Sequence, residues 1–488
     1  MYLFSYYIGS SSVKVCLVST STEQICASAL YPKQEMSIKE IHSGWAEQEP
    51  ADWWTNLKTA TAEVISESGV LKNNICAIGI SYQMYGLVCV DKNMQVLSLS
   101  IIWCDSRTMP YGEKALQTIG EQECLTHLLN SPSNFTAAKL AWVKENEPNI
   151  FAQIYIIMFL GDCIPARLTG NNCTTASGLS EDIFWDFAVG RVTDKVIDYF
   201  GFAKNIIPDI VSRFSWQSTV TEAPSNEFGL TTGIQVCYRA GDQTNNSLSL
   251  KVLRPGEIAA TADTSGVLYV VKEQIKYESV SRVYAFVHVN YTTEVPRTGV
   301  LLCINGMGIL TSWAKTHIVH EGINYAKMND LAVEAPIDAD GLSVLFGNCT
   351  ERMLSNKEVE CTFDELNFNI QNERNLLRVV QEKVTYAFQY GIKIMQNISV
   401  NPKTIRAGNA IIFLSPLYRE TLATVIGTAI ELFDTGGTTS MVKGACVGVG
   451  IYKTPEETLS SLKRIATINL NSSLIDEYEI ANQRWEGV

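Results

Sequence analysis

Two stretches of this chain read as copies of one hairpin, and a duplication of that kind steers a long chain toward two halves of like fold. The first is Tyr6-Tyr7-Ile8-Gly9-Ser10-Ser11-Ser12-Val13-Lys14-Val15, the second Thr261-Ala262-Asp263-Thr264-Ser265-Gly266-Val267-Leu268-Tyr269. In each, strand-forming residues flank a short Gly/Ser/Thr turn. One such turn is ordinary hairpin structure. Two, each opening a similar half, can aim backbone N–H groups at a shared polyphosphate in the manner of a nest. The 488 residues exceed what one hydrophobic core serves, and the halves are expected as domains 1–247 and 248–488.

The local pattern fills in an α/β fold. Residues 2 to 8, 13 to 19 and 25 to 31 form three strand-like pieces separated by turn residues, an antiparallel meander. Asp52 to Ser68 places Trp54, Leu57, Thr61, Val64 and Ile65 on one helical face, and Ile75 to Ser81 is a buried strand. Asn134 to Glu147 reads as a helix stopped by Pro148, while 150 to 234 yields only fragments, among them a helix around Val192 to Phe200. A strand to Tyr238 then repeats the opening logic, followed by a Gly241-Asp242 turn, a helix from Asn245 to Val252 and the hairpin Glu257 to Val271. Further elements are a helix after Gly308, a strand at Leu342 to Phe346, helices at Asn375 to Ile398 and Ser415 to Ile426, and a small-residue helix within Met441 to Tyr452 that must press against a neighbour.

Composition excludes several classes. A formal charge of -13 repels phosphate backbones, which argues against nucleic-acid binding and requires any anionic substrate to find a local positive pocket. The 13 cysteines lie singly, mostly in apolar runs, without zinc spacing, and read as buried thiols of a cytoplasmic protein. No apolar run reaches bilayer length and the start lacks signal-peptide character, so no membrane partner is expected.

Four segments carry candidate chemistry. Asp242, delivered by a hydrophobic segment into a glycine turn, suits a general base held at the floor of a cleft; the plainer alternative is a turn Asp satisfying local backbone. Gly79 to Gly86 leaves a buried strand and turns polar where an open α/β sheet binds ligands, so Gln83 and Tyr85 can reach sugar hydroxyls above Met84, unless this is a chance polar loop. Trp103-Cys104-Asp105-Ser106-Arg107 offers an indole beside an Asp and an Arg, polyol equipment or an Asp/Arg surface pair with a core Trp. Arg406-Ala407-Gly408-Asn409 ahead of Ser415-Pro416 is a turn beside a nucleotide base or a helix start.

In this order, the segments Ile8 to Lys14, Gly44-Trp45-Ala46-Glu47-Gln48, Ile78 to Gly86, Ile102 to Arg107, Lys139-Leu140-Ala141-Trp142, Ala240 to Gln243, Thr264 to Gly266 and Gly408 to Pro416 resemble the FGGY carbohydrate kinases, xylulose kinase branch, across essentially the whole chain. The resemblance implies two actin-like (ribonuclease H-like, ASKHA) α/β domains with ATP and sugar in the cleft between them. It implies phosphorylation of a ketopentose such as D-xylulose at its 5-hydroxyl, with Asp242 as base and Gln83, Met84, Tyr85, Asp105 and Gln243 lining the sugar pocket. Gly9, Ser10, Ser11, Ser12 and Lys14, with Asp263, Thr264, Ser265 and Gly266, would face the phosphates, and Gly306, Gly408 and Asn409 the nucleotide. ATP and Mg²⁺ are the implied cofactors, with no protein residue assigned to the metal and a homodimer as the possible assembly.

Three positions depart from the family pattern. Tyr7 stands where the family has an Asp associated with metal and phosphates, Tyr85 where xylulose kinases have His, and Asp263 where a Gly lets the second hairpin approach phosphate. A phenol is a poor Mg²⁺ ligand, and a carboxylate ~4 Å from a phosphate oxygen costs on the order of 4 kcal/mol at an effective dielectric near ~20. These departures keep two alternatives open: a kinase-fold protein that binds sugar or nucleotide without efficient transfer, and a kinase for another ketose or polyol.

Overall fold

The computed structural model describes residues 1–262, 265–304, 306–319, 323–345, 361–434 and 437–487. The chain folds into two compact units. One comprises Met1–Ser249, Phe286–Thr298 and Gly436–Ser461, the other Leu250–Ala285, Gly299–Thr435 and Leu462–Val488. Two later segments therefore return to the first unit, a feature that a single division near residue 247 does not express.

In the first unit β1 (Tyr2–Ile8), β2 (Val13–Ser19) and β3 (Ile25–Tyr31) form the expected antiparallel meander. β1 is buried along nearly its whole length, with Leu3, Phe4, Ser5 and Tyr6 all inaccessible, as a central strand covered on both faces must be. β3 exposes all but Ala29 to some degree and ends the sheet. Helix α1 (Pro50–Ser68) begins with Pro50 in its first turn and ends at left-handed Gly69. It buries Trp53, Trp54, Leu57, Ala60 and Val64, each large side chain contributing roughly 1.5–3 kcal/mol of apolar burial. The chain then enters β4 (Ile75–Tyr82), parallel to β1. After helices α2 (Thr136–Asn146) and α3 (Ala176–Glu181) it returns as β5 (Gln235–Gly241), parallel to β4. Helix α4 (Asp242–Ser249) starts at Asp242 itself, three residues earlier than the sequence pattern suggests, because β5 runs on to Gly241 and leaves no separate turn. The helix Gly437–Gly448 is pressed against β5 as its small residues require: a Cβ on Gly444 would lie 2.4 Å from the Tyr238 ring.

The second unit repeats this plan. β6 (Glu257–Ala262) and β7 (Gly266–Lys272) pair antiparallel. Helices α5 (Met307–His317) and α6 (Glu373–Asn397) follow, the latter opened by a capping box of Asn372 and Asn375. β8 (Thr404–Gly408) lies parallel to β6 and β9 (Ile430–Phe433) parallel to β8. Both units thus place an antiparallel hairpin beside two parallel strands. Asp263 and Thr264, and Phe346 at the end of the expected strand, lie outside the described residues. No disulfide joins the described cysteines, most of which are buried; Cys26, Cys104 and Cys361 are exposed. Among the described residues no helix is long and apolar enough to cross a membrane.

Candidate active site

The register of the first sheet brings three chain segments to one edge. Ile8 of β1 and Gly241 of β5 both pair with Tyr82 of β4, so the next residues, Gly9, Gln83 and Asp242, emerge side by side at the carboxyl ends of parallel strands. The Gln83 amide donates to the Ile8 carbonyl at 2.9 Å. Gln48 ties the edge together: its Nε2 donates to the Ser10 carbonyl at 2.6 Å, and its Oε1 accepts from Gln83 Nε2 at 2.9 Å and Trp53 Nε1 at 3.2 Å. That leaves the buried Gln83 Oε1 without a partner among the described residues, an acceptor that a ligand hydroxyl would satisfy.

Gly241 is dictated by its surroundings. A Cβ there would sit 2.5 Å from Glu181 Oε2 and 2.7 Å from Met84 Cγ, so only glycine lets β5 carry Asp242 this close to both. Asp242 is half-buried, accepts the Gln243 amide at 2.7 Å, and has its carboxyl pushed up to about 6 by burial, which outweighs the favourable amides at its helix start. Such a carboxylate is largely ionised at neutral pH and still basic enough to take a proton. Gln243 is half-buried beside it, its Oε1 lacking a partner among the described residues.

Behind Asp242 stands a second carboxyl. Glu181 is wholly buried, accepts from Ser177 Oγ at 2.7 Å and Thr244 Oγ1 at 3.1 Å, and has no partner for Oε2 among the described residues. Burial pushes it up to about 7, against the pull of those two hydroxyls and Arg213. It clamps α3 to the first turn of α4, the turn that carries Asp242.

Tyr85 has a left-handed backbone, φ 62°, and its ring meets Phe135 edge-on with centroids 5.2 Å apart and Phe286 at 6.0 Å. Asp105 is wholly buried with its oxygens engaged: Arg107 Nε and Nη2 reach Oδ2 at 2.8 and 2.6 Å, the Arg107 amide reaches Oδ1 at 2.9 Å, and the Ala46 amide reaches Oδ2 at 2.6 Å. The Arg107 guanidinium lies 3.7 Å from the Trp45 ring centroid and 4.8 Å from that of Trp142, while Trp103 stands exposed. Neither reading of this segment holds as stated: the Asp/Arg pair is buried rather than on the surface, Trp103 is exposed rather than in the core, and the tryptophans packed on Arg107 are Trp45 and Trp142.

The first hairpin closes with the Gly9 amide donating to the Ser12 carbonyl at 3.0 Å. Among the described residues the hydroxyls of Ser10, Ser11 and Ser12 enter no side-chain hydrogen bond, and Lys14 is half-buried beside them, so the turn offers hydroxyl donors and a cation. The Tyr7 ring sits against the turn, 2.8 Å from where a Gly9 Cβ would lie, and no group of three or more His, Cys, Asp or Glu among the described residues could hold a metal.

The second unit shows the corresponding edge. A Cβ on Gly266 would lie 2.5 Å from the Phe388 ring and 2.7 Å from the Met307 sulfur, which fixes glycine at the base of the hairpin beside Ser265. Gly306 is left-handed at φ 80° and heads α5, receiving the Leu310 amide on its carbonyl at 2.7 Å. Gly408 ends β8, and the exposed Asn409 bonds the Phe433 carbonyl through its amide at 3.0 Å. Sequence reasoning missed Glu181, Gln48, Phe135 and Phe286 as parts of the first edge. Glu181 falls in the unparsed 150–234 stretch, where the only signal was a Thr/Ser-rich turn ahead of two adjacent acids.

An α/β unit whose parallel strands deliver a base-competent carboxylate next to polar and aromatic side chains, followed by a second unit of like plan, is the frame of a sugar-phosphorylating enzyme. The sequence matches the FGGY family of carbohydrate kinases, N-terminal domain, over residues 2–249. It is 25% identical over 415 residues, 83% of this chain and 79% of the relative, to the xylulose kinase of Bacillus subtilis (strain 168). The fold is shared with the xylulose kinase of Rhodospirillum rubrum, TM-score 0.88 at 22% identity over 100% of this chain and 98% of that one. It is shared equally with the gluconate kinase of Lactobacillus acidophilus, TM-score 0.88 at 16% identity over 99% and 96%. This chain belongs to the FGGY family and is a carbohydrate kinase, a transferase.

Proposed function

We propose that the sugar is a ketopentose, D-xylulose first among them, and that the product carries phosphate on its 5-hydroxyl. The observation that carries this reading is the emergence of Gln83 and Asp242 side by side from adjacent parallel strands, with Asp242 held basic by burial. Gln83, Met84, Tyr85 and Gln243 line the sugar pocket, Asp105 supporting it through Arg107. Asp242 accepts the hydroxyl proton as the hydroxyl oxygen bonds to the γ-phosphorus and the bond to the leaving ADP oxygen breaks. Gly9 to Ser12 and Lys14, and Thr264 to Gly266 in the second hairpin, hold phosphate oxygens; Gly306, Gly408 and Asn409 meet the nucleotide. ATP and Mg²⁺ are the proposed cofactors, the metal arriving on the nucleotide, and no step is assigned to it because Tyr7 supplies no carboxylate.

The relatives' names favour xylulose, while the equal likeness to a gluconate kinase shows that the fold leaves the sugar open. A coupled ADP assay across xylulose, ribulose and xylitol, with Asp242→Ala as control, tests the proposal. The expected result is ADP formation strongest with xylulose and absent from the variant; equal rates without sugar, or a preference for xylitol, would refute it. The Tyr7 ring packed against the phosphate turn favours a second reading, binding without efficient transfer. Calorimetric sugar binding with no ADP released at millimolar Mg-ATP selects that alternative.

A further inference from the structure

Lys139 has no assigned part in the chemistry above, yet it is wholly buried and, among the described residues, makes no ion pair. Its ammonium donates instead to two carbonyls, Tyr85 O at 2.7 Å and Asn134 O at 3.1 Å. Both carbonyls belong to residues in the left-handed region, each with φ 62°. A tyrosine held there costs about 1–2 kcal/mol, whereas asparagine tolerates the region, so the Tyr85 turn above all needs something that fixes it. The turns deliver the aromatic pair Tyr85 and Phe135, whose rings meet edge-on.

The groups that face Lys139 are Asp182 after α3 and Cys104, Asp105 and Arg107 from the loop after Ile102. Asp182 is hydrogen-bonded by Thr136 and Asp105 by Arg107 and the Ala46 amide, so the nearby carboxylates are already engaged. Desolvation dominates and pushes the Lys139 amine down to about 8. An ammonium placed where charge is penalised, and bonded only to carbonyls, is an expensive way to fill space. A methionine of similar length would fill it without the charge.

We propose that Lys139 is a positioning residue for sugar recognition: by bonding the carbonyls of Tyr85 and Asn134 it holds the two left-handed turns that present Tyr85 and Phe135 to the sugar. The inference rests on the pocket assignment above and deepens it. It makes sugar affinity, rather than folding, the property that depends on the ammonium.

The test is Lys139→Met, with Lys139→Arg beside it in case the neutral variant does not fold. Sugar KM should rise at least about tenfold in Lys139→Met, while kcat at saturating sugar and the KM for ATP stay within about threefold. Lys139→Arg keeps a charged donor and should raise KM less. The urea midpoint of Lys139→Met at pH 7 should equal or exceed that of the wild type. Because the folded amine titrates near 8 and the unfolded one near its ordinary 10.5, the wild type should gain stability relative to Lys139→Met as pH rises through that window. A merely structural residue would lower the midpoint and leave the KM split absent. Sugar KM within about twofold of wild type in both variants overturns the inference while leaving the kinase reading intact. A wild type that neither binds nor phosphorylates any ketopentose overturns both.

Discussion

The two sheet edges are built to one topological plan and furnished in opposite ways. At the first edge a strand delivers Asp242 and two helices bring Glu181 and Lys139 in behind it, and burial has moved all three off their ordinary titration: Asp242 to about 6, Glu181 to about 7 and Lys139 to about 8. At the second, β8 and β9 run out into the exposed Asn409 and Asp434, while Gly266, Gly306 and Gly408 let backbone and neighbouring side chains approach closely. The contrast teaches a division of labour. Proton transfer and sugar recognition need charges held in costly surroundings, whereas polyphosphate can be met by amides and small turns. On the proposed function, the first copy carries the base and the sugar pocket and the second meets the nucleotide.

The comparison breaks most readily at Asp242. Asp242→Asn should lower turnover by about 10²–10⁴-fold, the usual worth of a general base, measured by sugar-dependent ADP release. On the opposite edge, Gly266→Ala forces a Cβ into the Phe388 ring and the Met307 sulfur. It should destabilise the protein by about 1–3 kcal/mol in urea titration and weaken ATP binding with little change in sugar affinity. Glu181→Gln should show the reverse sign. Its folded pKa is raised, so the acid stabilises the fold below its ordinary value and that contribution is lost as pH rises toward 7. At pH 8 the glutamine variant should therefore be more stable than the wild type, by on the order of 2 kcal/mol in chemical denaturation. The smallest expected effect comes from restoring the family pattern at the phosphates: Tyr7→Asp with Asp263→Gly should raise turnover at least about tenfold, about 1.4 kcal/mol of barrier. No gain there would show that the departures at these positions are not what limits transfer.

Much of the first edge was legible in the sequence because strands announce themselves by β-branched and aromatic runs. The meander at 2 to 31 and the strand before Gln83 fell where the pattern put them, and register then placed Gly9, Gln83 and Asp242 together. Asp242 was readable as a candidate, but its place as the first residue of α4 was not, since Asn, Gln and Ser give a helix start no apolar period to count. Glu181 was hidden for a different reason: its role depends on burial against Gly241, from a segment far off in sequence, and nothing local marks a buried acid. Asp105 and Arg107 were seen as a pair; that tryptophans sandwich the guanidinium is a tertiary fact. The discontinuous first unit was equally out of reach, because Phe286–Thr298 and Gly436–Ser461 carry no mark of the unit they join.

The account stands on Asp242 acting as the base beside a bound sugar. One preparation of Asp242→Asn, compared with wild type for sugar affinity by calorimetry and for single-turnover phosphorylation of D-xylulose, tests it most directly. The account predicts sugar binding within about threefold of wild type and a phosphoryl-transfer rate lower by at least about a hundredfold. Transfer at an undiminished rate, with binding intact, would contradict it.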